Sequence, residues 1–364
     1  MPVPTVAEVL ARLARAIPLA ASASWDPSGL QLGDASAPVA RVGVCHEVTE
    51  TVVAAVEADP VDLLVTYHPL LFTPTTRLLA GRSPEGRAHR LVRAGVALAV
   101  AHTAFDLATG GAADALAAAL GLGDVSGFAP VVPGGQVKVV TFVPADWVEE
   151  VATAMAEAGA GTIGNYRGCS FRATGTGAFL PAEGASPVIG SVGIPSREEE
   201  VRLEMVAPAA RRDEVVAALA VAHPYEEPAF DVYEVAANLA FGGRVGSLDQ
   251  PTPLADLASL AGERLGGEGM RVSGPADGWV QRVAVLPGSG ASLLGAARAA
   301  GADVMVTGDV PHHAAVQALD RGLAVIDPGH AATERPGMAA LAAMVGAAAP
   351  ALVDLTGLDP TPWR

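Results

Sequence analysis

Cysteine is almost missing: two residues in 364, Cys45 and Cys169. They lie far apart in apolar surroundings and form no CxxC pair, which excludes a zinc ribbon and a CxxC redox motif and leaves both as small packing residues. Positive charge is scarce as well. Lys and Arg number 23 against 39 Asp and Glu, a net charge of -16. That field repels a phosphate backbone, and no concentrated basic patch offsets it, so nucleic-acid binding is disfavoured. Charge of either sign reaches only 17% beside 51% hydrophobic residues. Much of the surface must then be small residues or be covered by another subunit, and self-association is expected. Apolar runs long enough to span a membrane are lacking. The stretch Ala16 to Ala23 behind Arg12 and Arg15 imitates a secretory signal. However, Val6, Leu10, Leu13 and Ile17 repeat at helical spacing, and Thr5 with Glu8 forms a capping box, so an amphipathic first helix and a cytoplasmic protein are expected. No Gly-Lys-Ser/Thr ending follows the glycine loop Pro287-Gly-Ser-Gly-Ala-Ser292, so it is not a Walker A loop, and no dinucleotide Gly-x-Gly-x-x-Gly loop occurs early.

What is present is a pattern of short buried strands with polar residues at their exits. The length allows two or three domains. Strands are predicted at Arg41 to Cys45, Asp62 to Val65 and Val96 to Ala101, with a helix from Thr49 to Ala58 between the first two. Continuous apolar runs of this kind suit parallel strands covered on both faces. His68 follows the second run, and His102 and Asp106 the third, the end of an open α/β sheet where ligands bind. The last third repeats the style, with strands at Val280 to Leu286, Val304 to Thr307 and Leu323 to Ile326 and a helix over 313–320. A further helix is predicted from Thr333, with Pro336 in its first turn, and then a tail packed on the surface. His330 and Glu334 stand four apart, on one face of a helix turn, and can grip one ion from the same side.

Between these parts, opened by Pro133-Gly-Gly135, strand, helix and strand occur twice: Val137 to Val143, Trp147 to Ala158, Phe171 to Phe179, then Val201 to Val206, Arg212 to Ala220 and Phe230 to Val235. This order predicts a compact α+β insert of ferredoxin-like plan. The expected fold class is α/β: a split domain formed by 1–130 and 238–364, interrupted by the insert at 131–237.

Each candidate ligand also has a packing reading. His68 can serve a turn before Pro69, Asp106 can cap a helix beginning near Gly111, and His330 with Glu334 can be a simple helix pair. His102 can ligate, orient Asp106 or handle a proton. His46 and His89 are read as packing residues, and His312 and His313 as a helix start. Thr103, Thr307 and the loop 287–292 offer hydroxyls and N–H groups to an anion or simply close turns. His223 and Glu227 have ligand-like spacing, but Pro224 places them in a loop and favours packing.

The segments Trp25-Asp-Pro-Ser-Gly-Leu-Gln-Leu-Gly33, Asp62-Leu-Leu-Val-Thr-Tyr-His-Pro-Leu-Leu-Phe72, His102-Thr-Ala-Phe-Asp106, Thr307-Gly-Asp-Val-Pro-His-His313 and Gly329-His-Ala-Ala-Thr-Glu334 resemble the NIF3-like, or DUF34, dinuclear metal-centre family nearly end to end. The resemblance implies two similar α/β halves, a hexameric ring or cage, and one or two divalent ions (zinc, iron or manganese) held by residues matching His68, Asp106, His330 and Glu334. Many bacterial members carry His-His-Pro where this chain has Tyr67-His68-Pro69, which weakens one metal position because a neutral phenol is a poorer ligand than imidazole. Glu47 replaces the usual aspartate after Cys45-His46. The insert, through Ala158-Gly-Ala-Gly-Thr-Ile-Gly-Asn-Tyr166, Cys169-Ser-Phe171 and His223-Pro-Tyr-Glu-Glu-Pro228, resembles the PII-like or CutA-like module of longer bacterial members, which implies an assembly or sensory role. Relatives labelled GTP cyclohydrolase 1 type 2 homologues imply a metal-dependent hydrolase of a small phosphorylated or nucleotide-like molecule; His102, from its placement at a strand exit, is the expected catalytic residue. The alternative is a metal-handling or regulatory assembly protein without turnover.

Overall fold

A computed structural model describes residues 3–19, 22–23, 25–131, 136–163, 166–235, 240–266 and 269–358. The Pro133-Gly-Gly135 opening, Gly164 and Asn165 of the glycine-rich motif, and the last residues of the predicted tail lie outside them. The chain divides into two compact units, Met1–Pro133 with Leu239–Arg364, and Gly134–Asn238.

The first unit holds two sheets. In one, Val42–Cys45 (β2), Leu63–Thr66 (β3) and Ala97–Val100 (β4) run parallel, Gly29–Leu32 (β1) is antiparallel to β4, and Leu352–Asp354 (β15) is parallel to β2. Every residue of β2, β3 and β4 is buried. Their alanines, valines and leucines have no solvent face because both sides are covered. One face packs on Val6–Leu13 (α1) and on the later part of His330–Ala348 (α11), through Val9, Val65, Leu341 and Val345. The other packs on Glu50–Ala58 (α2) and Pro84–Arg93 (α3), through Val52, Val56, Leu91 and Leu98. The capping box of α1 is formed, with Glu8 N–H donating to Thr5 Oγ1 at 3.3 Å and Thr5 N–H to Glu8 Oε2 at 2.8 Å.

The second sheet places Trp279–Ser289 (β12), Val304–Gly308 (β13) and Ala324–Asp327 (β14) in parallel, with Arg271–Ser273 (β11) antiparallel to β14. Ala240–Pro253 (β10) lies antiparallel to β12, and Gly123–Val131 (β5) to β10. Ala112–Ala119 (α5) and Leu254–Leu265 (α8) cover one face, Leu294–Ala299 (α9) and His312–Asp320 (α10) the other. His102–Leu107 (α4) is a short turn of helix directly after β4.

Two expectations change. The last long helix begins at His330 rather than Thr333, so Pro336 lies inside α11 instead of in its first turn. Proline has no N–H for the Ala332 carbonyl one turn earlier, so one i→i−4 bond of the helix is absent there. The surface tail is replaced over Leu352–Asp354 by β15, which continues the first sheet beyond β2.

The second unit has the order strand, helix, strand, strand, helix, strand: Gln136–Pro144 (β6), Val148–Glu157 (α6), Phe171–Phe179 (β7), Ser196–Pro208 (β8), Arg212–Ala222 (α7) and Phe230–Val235 (β9). Its sheet runs β7-β8-β6-β9, all antiparallel. Both helices pack on one face around Val139, Val151, Met155, Leu203 and Leu219.

Candidate metal centre

Because β2, β3 and β4 are parallel neighbours, their carboxyl ends align. His46 follows β2, Tyr67 and His68 follow β3, and His102 follows β4. The ladder continues past the strands: Tyr67 N–H donates to Cys45 O at 3.1 Å, His68 N–H to His46 O at 2.9 Å and His102 N–H to Tyr67 O at 2.9 Å. Backbone bonds thus fix the spacing of the imidazoles. The opposite wall is the start of α11, which presents His330 and, one turn on, Glu334.

These groups meet at one carboxylate. Glu334, 2% exposed, has Oε2 at 2.9 Å from both His46 Nε2 and His68 Nε2, and Oε1 at 2.9 Å from His330 Nε2. Tyr67, fully buried, donates its phenol to Asp106 Oδ1 at 2.5 Å. Outer carboxylates hold the other ring nitrogens: Asp309 Oδ2 lies 2.6 Å from His330 Nδ1, and Asp26 Oδ1 lies 2.9 Å from His102 Nδ1. Asp26 is itself fixed by Ser28 and by the backbone and hydroxyl of Thr103. His102 and Asp309 have φ of +24° and +55°. Such a conformation costs a non-glycine residue about 1–3 kcal/mol and clusters where function needs a side chain held at a set angle.

His68, His330 and Glu334 of the predicted set are brought into direct contact, and Asp106 stands behind Tyr67, bonded to it rather than capping the helix at Gly111, which has no side-chain cap. His102 lies in the same cluster of rings, 5.5 Å from His68 between centroids. Sequence reading missed His46, Asp26 and Asp309. His46 shared the strand-exit position of His68 and His102, which was the usable signal; the two aspartates had none beyond lying in the motifs. Thr103 and Thr307 have internal partners, Asp26 and the Gly288 carbonyl, and Gly288 N–H donates to Thr333 Oγ1 at 2.8 Å, so the loop 287–292 is read as a closed turn. His312 and His313 are exposed at the start of α10.

Ionisation follows from these contacts. Burial pushes Glu334 upward, but the hydrogen bonds from His330, His46 and His68 outweigh it and hold the carboxyl well below its usual range. The Glu334 contact, with Asp309 behind it, pushes His330 up to about 9. Burial, reinforced by the charge of Glu334, pushes Asp106 up to about 7 against the Tyr67 bond. Burial and the neighbouring carboxylates raise Tyr67 well above a normal phenol, so it remains a neutral donor. For His102, burial works downward and the Asp26 contact upward, with a net rise. In the metal-free chain the stability contributed by His330 is complete below pH 6.5 and lost as pH rises through about 9. A cation bound through His330 would displace that proton. Apparent zinc affinity is therefore expected to rise roughly tenfold per pH unit per displaced proton between about pH 6 and pH 8, with proton release seen by calorimetry in two buffers. An affinity independent of pH would contradict this assignment.

The donor set fits a divalent ion. Ligand atoms of His46, His68 and Glu334 all lie within 4.8 Å of one another, with His46 and Glu334 buried and His68 half-buried. Imidazole nitrogen with carboxylate oxygen suits zinc, iron or manganese. Carboxylates on the far nitrogens of His330 and His102 fix the tautomer and aim of each ring, as around metal ligands generally. No helix among the described residues is long and apolar enough to cross a membrane.

Comparison with known proteins bears on this arrangement. Residues 4–358 match the model of the Duf34/NIF3 (NGG1p interacting factor 3) family. A Mycobacterium tuberculosis protein named GTP cyclohydrolase 1 type 2 homolog is 42% identical over 367 residues, covering 98% of this chain and 96% of that protein. A Bacillus subtilis protein of the same name is 39% identical over 316 residues, 86% of this chain and 84% of its own. The crystal structure of a Bacillus cereus protein related to NIF3 superposes with a TM-score of 0.68 at 34% identity, covering 100% of both chains. This chain belongs to the Duf34/NIF3 family.

Proposed function

We propose that the protein is a divalent-metal-dependent hydrolase of a small phosphorylated or nucleotide-like molecule, with His68, Asp106, His330 and Glu334 as ligands and His46 joining them. The observation that carries this reading is the meeting of three imidazoles on the buried Glu334 carboxylate. Bound there, a divalent ion supplies Lewis acidity and a water ionisable near neutral pH. The chain's own groups do the rest. His102, gripped at Nδ1 by Asp26, keeps Nε2 for donating a proton to the leaving group or accepting one from the nucleophile. Trp25 and Phe72, 62% and 55% exposed, lie 6.0 and 6.4 Å from the His102 ring and offer an apolar wall against which a substrate ring can rest. His102→Ala is expected to lower kcat by about 10²–10⁴ with metal content unchanged. Removing the ion should abolish turnover of the substrate found by screening phosphorylated and nucleotide compounds, and restoring the ion should restore it. Metal uptake with no turnover of any of them would favour a metal-handling assembly protein instead.

His46 compensates for Tyr67 in this reading. Its ring stacks on Tyr67, centroids 5.5 Å apart and planes 13° apart, and places an imidazole beside the phenol that stands at the first position of the His-His-Pro pattern. We expect one firmly held ion per chain in the wild type and loss of that ion in His46→Ala. Elemental analysis of Tyr67→His should show occupancy rising toward two, and unchanged occupancy in both variants would refute the pairing.

The strand-helix order and the β7-β8-β6-β9 sheet of the second unit support reading it as a ferredoxin-like, PII/CutA-like insert in a domain of two similar halves. Self-association into a homohexamer accords with the low surface charge, and analytical ultracentrifugation giving a monomer at micromolar concentration would exclude it.

A further inference from the structure

The second unit contains a cavity of about 910 Å³ that the metal centre does not use. Its floor is the face of the sheet opposite α6 and α7, formed by Phe142, the small residues Ala173 to Ala178 of β7, and Glu200 and Arg202 of β8. The segment 180–189 roofs it, tied to the loop after α7 by Ser186 N–H donating to Glu226 Oε2 at 2.9 Å.

Glu200 is the unusual wall residue, a carboxylate only 7% exposed. Tyr225 donates its phenol to Oε1 at 2.9 Å, and among the described residues no cation pairs with the carboxylate. Arg202, which lines the same cavity, is engaged elsewhere: Nε donates to Glu204 Oε1 at 2.7 Å, and the guanidinium lies 5.8 Å from the Phe142 ring centroid. Room for the acid is built into the opposite strand. A Cβ on Gly177 would come within 2.1 Å of Glu200 Oε2, so only glycine lets the carboxylate lie there. The Tyr225 side chain is held by its own support. Tyr225 N–H donates to His223 Nδ1 at 3.1 Å, which leaves Nε2 to donate to the Phe142 carbonyl at 3.0 Å and fixes a neutral ring. The His223-Pro-Tyr-Glu-Glu-Pro228 motif thus positions a cavity acid and does not ligate a metal through His223.

A carboxylate this enclosed, with a neutral phenol as donor and no cation beside it among the described residues, leaves room for a positively charged occupant. The volume suits a small organic molecule, and the walls combine apolar with polar and charged side chains. Phe142, Phe179 and Tyr225 line it, and aromatic rings attract cations. The two other acids of the lining, Glu226 and Glu227, add the same sign of field. We propose that this cavity binds an organic primary ammonium carried on a compact apolar or aromatic body, its nitrogen donating to Glu200 and its body resting on the glycine and alanine face of β7.

Benzylammonium, benzyl alcohol and benzoate share a shape and differ in charge, so they form the test, titrated into the metal-loaded full chain and read by ligand-observed NMR. Benzylammonium is expected to bind at least about tenfold tighter than the alcohol, with benzoate weakest. Glu200→Gln should erase the difference between ammonium and alcohol, and Tyr225→Phe, which keeps the carboxylate, should reduce it. Unchanged circular dichroism and thermal midpoint show that both variants are folded; if Glu200→Gln fails that check, Tyr225→Phe alone decides. No binding of benzylammonium, equal affinity for all three probes, a charge preference that persists in folded Glu200→Gln, or one undiminished in folded Tyr225→Phe would overturn the proposal. Because the readout is binding, the result is independent of turnover at the metal centre.

Discussion

Glu334→Gln is expected to empty the metal centre while leaving the chain folded. The amide keeps the volume of the side chain and one acceptor for the histidines that converge on Glu334. It loses the charge that balances a divalent ion, and an amide oxygen is a weak ligand beside a carboxylate. Disturbing groups behind a metal's ligands already costs about 10–100-fold in affinity, so losing a direct carboxylate ligand should cost more than about 100-fold. Mass spectrometry of the purified protein would then find less than roughly a tenth of the wild-type metal. The substitution also alters acid stability. Since the folded Glu334 titrates below its ordinary value of 4.5, its contribution is complete above that pH and withdrawn as pH falls through the folded value. The wild type, stripped of metal, should therefore unfold in acid with a component that the glutamine variant lacks.

Gly308→Ala is expected to be strongly damaging. Its Cβ would lie 2.6 Å from the His330 backbone nitrogen, 2.7 Å from His330 Cα and 2.9 Å from Gly329 C. These are backbone atoms at the start of α11, and no rotamer change relieves the clash. Overpacking of this kind costs up to about 3 kcal/mol. For a unit of this size that is roughly 6–12 °C in Tm, and the displaced helix start should carry His330 and Glu334 away from His46 and His68, reducing metal affinity as well. Gly357→Ala, where nothing lies within 4 Å of the added carbon, is the control and should change neither. Calorimetry of metal-free and metal-loaded protein separates the two effects, and a wild-type Tm in Gly308→Ala would contradict the tight approach of β13 to α11.

Much of this was legible in the sequence where a local pattern encodes it. Five wholly buried strands, β2, β3, β4, β13 and β14, announce themselves as short apolar runs, and the Thr5 and Glu8 pair marks the start of α1. His68, His102, Asp106, His330 and Glu334 could be singled out because strand exits and helix spacing are local properties. His46 shared that strand-exit position, but the partner that makes it part of the site is a carboxylate 288 positions away, which no local pattern reveals. Asp26 and Asp309 act on His102 and His330 across 76 and 21 positions, from loops that have no periodicity to read. β15 was invisible for a related reason. Three residues between Pro350 and Thr356 become a strand only because the edge of β2 supplies backbone partners. The same holds for β10, whose polar and glycine-rich run pairs with β5 and β12.

Elemental analysis of protein purified without added metal, joined to diffraction at that metal's absorption edge, tests the central claim most directly. The account predicts a divalent ion lying against Glu334 with His46 Nε2 and His68 Nε2 among its ligands. A metal-free protein whose Glu334 still accepts from the three imidazoles, or an ion bound away from them, would contradict it.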